Sequence, residues 1–191
     1  MFSPDILSFK QFYDTPLGGL ARALIAQSIR QFWPSASGDA LLGIGYPLPY
    51  MEPYLEQAAP AIVCMPAAQG AIYWPPTRAN LVFMAHEAEL PLQENSINRI
   101  LLMHSVENSE QLSWMMRDIS RVLTPGGRVL AVVPNRLGFW SRSSKSPFGH
   151  GRPFSMAQLR DLMSEHSLTI TRSGSALFMP PVGLSFLWKF A

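Results

Sequence analysis

The chain has 191 residues, of which 48% are hydrophobic and 15% charged, and its formal net charge is +2. This composition excludes intrinsic disorder and predicts one folded domain over 1–191, large enough to bury its own core. A single cysteine, Cys64, excludes an internal disulfide, and no apolar run is long enough to span a membrane. Because no signal peptide is recognisable at the start, we expect a cytoplasmic protein.

The charged residues are unevenly distributed along the chain. No acidic residue lies between Asp118 and Asp161, whereas seven cations do. They are Arg121, Arg128, Arg136, Arg142, Lys145, Arg152 and Arg160. A solvated basic surface would account for this pattern, and so would a site for an anionic substrate or a nucleic-acid backbone. The sequence leaves these alternatives open.

The first predicted element is a helix over 16–32 within an N-terminal helical extension, 1–37. Thr15 can cap this helix, and Pro16 fits its first turn. Four short apolar runs then predict buried parallel strands, at 40–44, 61–65, 81–84 and 99–103. The segment 66–80, which contains Pro75 and Pro76, does not have the pattern of a crossover helix.

The second half of the chain carries two predicted helices. Asn108, with Gln111 three residues later, predicts a capping box for a helix that ends at the turn 125–127. A strand is predicted next, at 128–133. Ser155 and Gln158 predict a second capping box, and 168–178 is predicted to be one more strand. This alternation predicts an α/β fold with a doubly wound, mostly parallel sheet.

Three stretches carry a family resemblance. Residues 89–104 resemble the "LPF…NSFD-hydrophobic-strand-H" pattern of class I S-adenosylmethionine-dependent methyltransferases, and 105–108 match their "VLEH" pattern. Residues 118–130, DISRVLTPGGRVL, resemble "EI-RVLKPGGRLL". The resemblance runs from about Gly38 to the end of the Ser155 helix. Within that family, the chain is most similar to the type 11 methyltransferases, as a divergent bacterial subgroup with a degenerate glycine loop.

The resemblance implies a Rossmann-like methyltransferase fold and S-adenosylmethionine as the cofactor. In such sheets ligands lie beyond the carboxyl ends of the strands, where strand order reverses. In the family, four successive strand ends hold the methionine moiety, the ribose, the adenine and the sulfonium neighbourhood. The residues that the resemblance places around this crevice are Gly43, Gly45, Tyr46, Met65, His86, Glu87, His104 and Ser105.

The loop after the first strand departs from the family pattern. The family has an acidic residue followed by a Gly-x-Gly-x-Gly turn, and Gly43 stands at the acidic position here. The first glycine is Gly45, but the other two are replaced by Pro47 and Pro49, which lack amide donors. The second acidic anchor is replaced by Met65. Losing two charged anchors would weaken cofactor binding by about a hundredfold or more.

The acceptor side is predicted in the loop 134–154, where cations, glycines and aromatic side chains alternate. The candidate substrate-binding residues there are Asn135, Arg136, Trp140, His150 and Arg152. An ordered loop whose aromatic side chains only cover the sheet is the alternative interpretation. His104 is the candidate catalytic residue, and a structural or orienting role is its alternative. No metal site is predicted, because the histidines show no ligand spacing.

The predicted function is therefore methyl transfer from S-adenosylmethionine to an unidentified small or nucleotide-like acceptor. A catalytically inactive methyltransferase-fold protein with a binding or regulatory role is the alternative, and nucleic-acid binding is a third interpretation. We expect 38–135 to form the cofactor-binding core and 136–191 to supply the acceptor-side loop, a helix and the final strand.

The family sheet ends in a hairpin, but after 168–178 only Met179, Pro180, Pro181 and a short apolar tail, 182–191, follow in this sequence. Either the chain stops before that hairpin, or the tail 182–191 forms a helix on the core. A sheet without its last strand would expose an edge, which predicts a homodimer.

Overall fold

The computed structural model describes residues 4–181, and its centre is a parallel sheet. The strands are β1 (Leu41–Gly45), β2 (Ala61–Pro66), β3 (Val82–Ala85), β4 (Ile97–Met103) and β5 (Leu123–Val132). The helices are α1 (Ile6–Tyr13), α2 (Pro16–Phe32), α3 (Leu48–Met51), α4 (Leu112–Val122) and α5 (Met156–Glu165). Short 3-10 turns occupy Glu52–Tyr54, Ala67–Gln69, Trp140–Arg142 and Pro147–Gly149.

The strands lie in the order β3-β2-β1-β4-β5, and every neighbouring pair is parallel. The strand order reverses between β1 and β4, which pair directly from Leu41 with Arg99 to Gly45 with Met103. The predicted doubly wound α/β sheet is therefore confirmed. Its switch point, where this fold binds ligands, lies at the ends of β1 and β4.

Alternate residues of the central strands build two cores, one on each face of the sheet. Leu41 and Met103 belong to the core formed with α1 and α2. Leu42 and Leu102 belong to the core formed with α4 and α5. Because successive side chains of a strand point to opposite faces, both β1 and β4 are buried on two sides.

Two predicted helices are confirmed together with their caps. The Thr15 side chain accepts from Gly18 N at the start of α2, and Pro16 occupies its first turn. Ser155 and Gln158 form the reciprocal capping box that begins α5. Local side chain–backbone hydrogen bonds determine both starts, which is why the sequence predicts them.

The predicted start of α4 at Asn108 is wrong. The helix begins at Leu112, and Gln111 at its N-cap position makes no side-chain capping bond. Asn108 instead donates through Nδ2 to the carbonyl oxygen of His104, at 3.1 Å. The free amides of residues 110 and 111 donate to the carboxylate of Glu87, at 2.9 and 2.7 Å. A side chain that is distant in sequence thus replaces the local cap.

The end of α4 also differs from the prediction. The helix ends at Val122, and β5 begins directly at Leu123, which pairs with Ile97. The Pro125–Gly127 turn therefore lies inside β5, where the register with β4 shifts between Ile97 and Arg99. A bulge absorbs the turn residues without ending the strand.

The predicted strand at 168–178 is wrong, because this segment has no regular secondary structure. Its apolar residues still pack on the molecule: Leu168 and Ile170 contact one core, and Ala176 and Leu177 the other. Leu177 has a left-handed backbone with φ +58°, which breaks an extended ladder. The sheet has five strands within residues 4–181. The predicted tail, 182–191, lies outside the described residues.

The crossovers on the β1–β3 side are short. The chain passes from β1 to β2 through α3 and one 3-10 turn, and from β2 to β3 through a 3-10 turn and irregular chain. The prediction that 66–80 forms no crossover helix is confirmed. The additional helix α1, which we did not predict separately, packs on the face of the sheet that carries Leu41 and Met103.

Candidate functional site

The carboxyl ends of β1 and β4 meet at a close backbone approach. Gly45 has φ +91°, and a Cβ atom there would collide with the carbonyl oxygen of Met103 and lie 3.1 Å from Ser105 Cβ. The amide of Tyr46 donates to the same Met103 carbonyl, at 2.8 Å. Only glycine satisfies both this φ and this contact. The structure thus brings together the predicted residues Gly45, Tyr46, His104 and Ser105.

Gly43 stands where the family has an acidic residue, and the structure leaves no space for a side chain there. A Cβ at Gly43 would lie 2.5 Å from Pro47 Cγ and 3.2 Å from Met51 Sδ. The Pro47 carbonyl accepts from Tyr50 N and Met51 N, at 2.9 and 3.1 Å, so the chain after β1 forms the short helix α3. This turn is packed against β1 and presents no row of free amides to a ligand.

His104 is the fully buried polar residue at the end of β4. Its backbone is left-handed with φ +54°, an uncommon conformation for a side chain of this size. Glu107 Oε1 lies 3.1 Å from His104 Nδ1, and the Tyr13 hydroxyl lies 2.9 Å from His104 Nε2. A carboxylate on one ring nitrogen fixes the orientation of an imidazole and leaves the other nitrogen for chemistry.

The side chains of α1 fill the space above His104. The ring of Phe9 stacks on His104 with a centroid distance of 4.7 Å and on Tyr46 with 5.6 Å. Tyr50 donates its hydroxyl to the hydroxyl oxygen of Tyr13, at 3.0 Å. Burial raises the pKa of Tyr13 well above its usual value and that of Tyr46 to about 12. These phenols are therefore neutral hydrogen-bonding groups at physiological pH.

The loop between β4 and α4 holds buried polar atoms that have no hydrogen-bond partner among residues 4–181. They are Ser105 Oγ, Glu107 Oε2, Asn108 Oδ1 and Ser109 Oγ. Buried polar groups are normally satisfied, so such a group of atoms has capacity for hydrogen bonds with a polar molecule. This capacity lies directly beside the His104–Glu107 pair.

The remaining predicted cofactor residues do not join this cluster by contact. Met65 is fully buried at the end of β2 and belongs to the core on the α1 side. His86 is exposed beyond β3, and its Nδ1 accepts only from Ala88 N within its own turn. Glu87 is engaged with the backbone before α4. The structure thus divides the predicted set between β1–β4 and the β3 end.

The predicted acceptor loop packs against the same edge of the sheet. Trp140 is buried, donates through Nε1 to the Met179 carbonyl at 2.6 Å, and packs edge-on against Phe148. The Arg152 amide donates to the Glu107 carbonyl at 2.7 Å, which joins the loop to the β4 end. Arg136 and His150 are exposed.

The basic residues of the acid-free segment do not share one face. Arg128 pairs in register with Arg99 near the start of β4, whereas Arg136 follows the end of β5. Arg121 binds the Asp118 carboxylate at 2.5 Å and donates to the carbonyls of residues 90 and 92. These cations therefore lie at both the amino and the carboxyl ends of the strands.

Sequence reasoning missed the aromatic residues that cover the crevice. They are Phe9, Phe12, Tyr13, Tyr50 and Phe148. A usable signal was present for α1, since Asp5 caps it through Ser8 N, and its buried residues recur with helical spacing. Nothing local indicates that this helix lies over the end of β4.

The crevice as described does not fit S-adenosylmethionine, the cofactor that the resemblance implies. Phe9 and Tyr13 occupy the space over His104, and Pro47 occupies the space beside Gly43. No acidic side chain stands at the ends of β1 or β2.

Within residues 4–181 no group of histidine, cysteine and acidic side chains could hold a metal ion. No helix in that range is long and apolar enough to cross a membrane.

Comparison with known proteins identifies the domain. Residues 43–131 match the family model described as a methyltransferase domain. No curated protein matches the chain significantly. A SAM-dependent methyltransferase from Thermotoga maritima is structurally similar, with a TM-score of 0.65, 18% identity, and coverage of 84% of this chain and 76% of that chain.

Two further solved structures agree with this fold. A SAM-dependent methyltransferase from Aquifex aeolicus has a TM-score of 0.63 at 12% identity, covering 90% of this chain and 93% of that chain. A chain from a Haloferax volcanii complex between a methyltransferase activator and a methyltransferase has a TM-score of 0.65 at 14% identity, covering 90% and 80%. At these identities the similarity shows the fold alone. Together with the strand order, these findings show that the chain has the class I methyltransferase fold and that residues 43–131 match the methyltransferase-domain model.

Proposed function

We propose that this chain is a methyltransferase that uses S-adenosylmethionine and acts on a small or nucleotide-like acceptor, which requires that Phe9 and Tyr13 leave the space over His104 that they fill in the described structure. The observation that carries the proposal is the His104–Glu107 pair at the switch point of the sheet, inside the matched methyltransferase domain. Ligands of open α/β sheets bind at this point. The unpartnered polar atoms of residues 105–109 add hydrogen-bonding capacity at the same place.

His104 is the proposed catalytic residue, and Glu107 is its positioning residue. Methyl transfer from an activated donor needs little more from a protein than orientation and, for a protonated acceptor, a general base. The Glu107 carboxylate accepts from His104 Nδ1, so that Nε2 carries the lone pair that takes the acceptor's proton. This role requires that Tyr13 leave Nε2, which it contacts in the described structure.

The loop 134–154 is the proposed acceptor side. Asn135, Arg136 and His150 are exposed on it and can contact an anionic or planar group. Trp140 and Arg152 hold the loop in place through the Met179 and Glu107 carbonyls. On the cofactor side, Gly45 packs against the backbone of residues 103–104 and against Ser105, and the Tyr46 amide donates to the Met103 carbonyl.

Transfer of a labelled methyl group from S-adenosylmethionine to a panel of acceptors tests this proposal. The panel contains carboxylic acids, phenols, amines and nucleotides. We expect His104→Asn, which tolerates a left-handed backbone, to lower kcat by about a hundredfold. Glu107→Gln should lower kcat by about tenfold and change KM little. Glu89→Gln on the exposed turn is the matched control. An unchanged kcat in His104→Asn would refute the assigned role.

A second candidate function is a catalytically inactive protein with a binding or regulatory role. The observation that favours it is the crevice itself, which is filled by buried aromatic side chains and lacks the acidic anchors. Isothermal titration with S-adenosylmethionine and S-adenosylhomocysteine separates the two candidates. Absence of heat and of thermal stabilisation at millimolar ligand supports the second candidate, whereas micromolar binding supports the first.

A homodimer remains a separate proposal. Within the described residues β5 is an edge strand of the sheet, and edge strands with free backbone groups favour pairing with another copy. Light scattering across protein concentrations measures the mass directly. A monomeric mass at every concentration rules this assembly out.

A further inference from the structure

A cleft of about 280 Å³ lies at the amino ends of β4 and β5, opposite to the crevice at His104. Arg99 precedes Met103 in β4 by four residues, and a strand rises about 3.3 Å per residue, so about 13 Å of strand separates the cleft from the end of β4. The residues that line it are Asp39, Asn98, Arg99, Thr124, Pro125, Gly126, Gly127 and Arg128. None of them belongs to the proposed methyl-transfer site.

The turn inside β5 forms one wall of this cleft. Residues 124–127 loop out between two paired positions, Leu123 with Ile97 and Arg128 with Arg99. Gly126 has φ +77°, and nothing lies within 4 Å of the position that a Cβ atom would take there. Because the turn presents glycine in place of a side chain, a ligand has access to the backbone of β5.

Two arginines stand side by side in the cleft. Arg99 and Arg128 pair in register on neighbouring parallel strands, so their side chains leave the same face of the sheet from backbones about 5 Å apart. Like charges at such positions destabilise a sheet. An anion bound between the two guanidinium groups replaces this repulsion with attraction.

Arg99 is held firmly in one position. Its Nε binds the Asp39 carboxylate at 2.5 Å, its Nη1 donates to the Ser35 carbonyl at 2.5 Å, and its guanidinium carbon lies 5.5 Å from the centre of the Trp33 ring. Only 18% of its side chain is exposed. Arg99 is therefore a preorganised cation, and binding a ligand costs it little further side-chain entropy.

Arg128, in contrast, is exposed, and its side chain has no ion pair or hydrogen bond within the described part of the chain. Asp39 is the one carboxylate among the lining residues, and it is bound to Arg99. With two arginines and one aspartate, the lining has a net charge of +1. Arg172, whose guanidinium lies over the Phe32 ring at the end of α2, adds a cation nearby. The charge of this region therefore favours an anion.

We propose that this cleft binds a phosphate group, carried by a nucleotide or by a polynucleotide, with Arg99 and Arg128 as its charged ligands. Guanidinium groups bind phosphate oxygens through paired N–H donors. The Thr124 hydroxyl accepts from Asn98 Nδ2 at 3.4 Å and keeps its own proton for a ligand. A phosphate group has three acceptor oxygens, enough for both guanidinium groups and this hydroxyl, whereas a carboxylate has two. The site is independent of the proposed function, since it needs neither the crevice nor a bound cofactor.

Chemical-shift mapping on the nitrogen-15-labelled protein tests the site directly. Adenosine 5′-monophosphate should shift the amide signals of Gly126, Gly127 and Arg128, with a Kd of about 1 mM or below at low salt. Adenosine, which lacks the phosphate group, should leave these three signals in place. This comparison uses the wild-type protein and does not depend on the stability of any variant.

Variants of Arg128 separate a ligand from a structural residue. Arg128→Gln should weaken the binding of adenosine 5′-monophosphate by about tenfold, and Arg128→Lys by about threefold, because lysine keeps the charge but lacks the paired donors. Without ligand, Arg128→Gln should raise the Tm by about 1 °C, since it removes the repulsion from Arg99, whereas loss of a structural arginine would lower it. Arg160→Gln, at an exposed position of α5, is the matched control and should leave the Kd unchanged.

Single-stranded oligonucleotides of increasing length identify the source of the phosphate group. Affinity that rises with length and falls steeply with salt concentration assigns the cleft to a polynucleotide backbone. Affinity that stays at the level of the mononucleotide assigns it to a nucleotide. Both results support the site, provided that Arg128→Gln weakens the binding.

Two results would overturn the site. One is the absence of shifts at residues 126–128 with adenosine 5′-monophosphate and with every oligonucleotide. The other is an equal effect of Arg128→Gln and Arg160→Gln, because the anions would then respond to the overall charge of the protein and not to this cleft. Neither result bears on the proposed function, which is tested with S-adenosylmethionine.

Discussion

The two halves of the sheet's carboxyl edge are built differently. On the β4–β5 side, α4 is a regular crossover helix whose apolar face, with Met116 and Ile119, is fully buried. On the β1–β3 side, the crossovers contain only short helical turns, and α1 and α2 pack on one face of the sheet, in a core that includes Val63 of β2 and Met103 of β4. The family motif is therefore retained where the crossover is retained. The helices α1 and α2, which pack against the turn after β1, lie outside the matched segment.

Restoring the family's acid at β1 should have the largest effect on stability. Gly43→Asp would place a carboxylate against Pro47 and Met51, without a partner, in a fully buried strand. Overpacking and burial of an unpaired polar group together should cost about 5 kcal/mol of unfolding free energy. Urea unfolding monitored by circular dichroism measures this cost.

A double variant shows whether the proline turn is the cause. Adding Pro47→Gly to Gly43→Asp removes the ring that the new side chain meets, so the cycle should give a coupling of about 2 kcal/mol. Additive effects would mean that the turn and the lost acid are unrelated. The absence of an acidic side chain at the end of β1 would then not be explained by the packing of Pro47.

Gly45→Ala should have the second largest effect, at about 4 kcal/mol. The new Cβ meets the Met103 carbonyl, and the φ of +91° is unfavourable for alanine. Gly38→Ala is the matched control, since its φ is +77° but nothing lies within 4 Å of its Cβ. Urea unfolding should place the cost of Gly38→Ala at about 1 kcal/mol. Equal costs would show that φ alone, and not the β1–β4 approach, requires glycine.

The sequence predicted those elements whose determinants are local. The caps of α2 and α5 are hydrogen bonds within three residues, and the buried strands are short apolar runs. The predicted start of α4 was wrong because Glu87, more than twenty residues away, supplies the oxygen that accepts from the amides before the helix. The predicted strand at 168–178 was wrong because the apolar residues of this segment pack on the two cores without pairing with a neighbouring strand. Tertiary contacts decided both cases.

The candidate site was predictable only in part, for a related reason. Parallel strands place their carboxyl ends together, so Gly45, His104 and Ser105 were expected to meet, and they do. Phe9 and Tyr13 lie more than ninety residues from His104, and their contact follows from how α1 docks. No periodicity within α1 specifies that docking. The filling of the crevice therefore depends on tertiary contacts, which local sequence patterns do not predict.

Glu87→Ala tests how far the start of α4, on the β4–β5 side, depends on a side chain from the β1–β3 side. Glu87 follows β3, yet its carboxylate accepts from both free amides before α4, so its loss should cost about 2 kcal/mol. Thermal and urea unfolding measure the change. Glu89→Ala, an exposed neighbour in the same turn, should be neutral. A neutral Glu87→Ala would show that α4 begins without help from the β3 side.

The smallest expected effect concerns Cys64, a buried thiol of β2. Burial raises its pKa from 9.0 to about 12, so the folded state favours the neutral thiol. The thiol's contribution to stability is complete below pH 9 and is lost as pH rises from 9 towards 12. Between pH 8 and pH 10, the unfolding free energy should therefore fall by about 1 kcal/mol more in the wild type than in Cys64→Ala. Comparing urea unfolding of the two proteins at both pH values cancels the tyrosines they share. Identical pH slopes, or rapid reaction of the native thiol with Ellman's reagent at pH 8, would show that β2 opens readily and that the β1–β3 half is looser than its packing indicates.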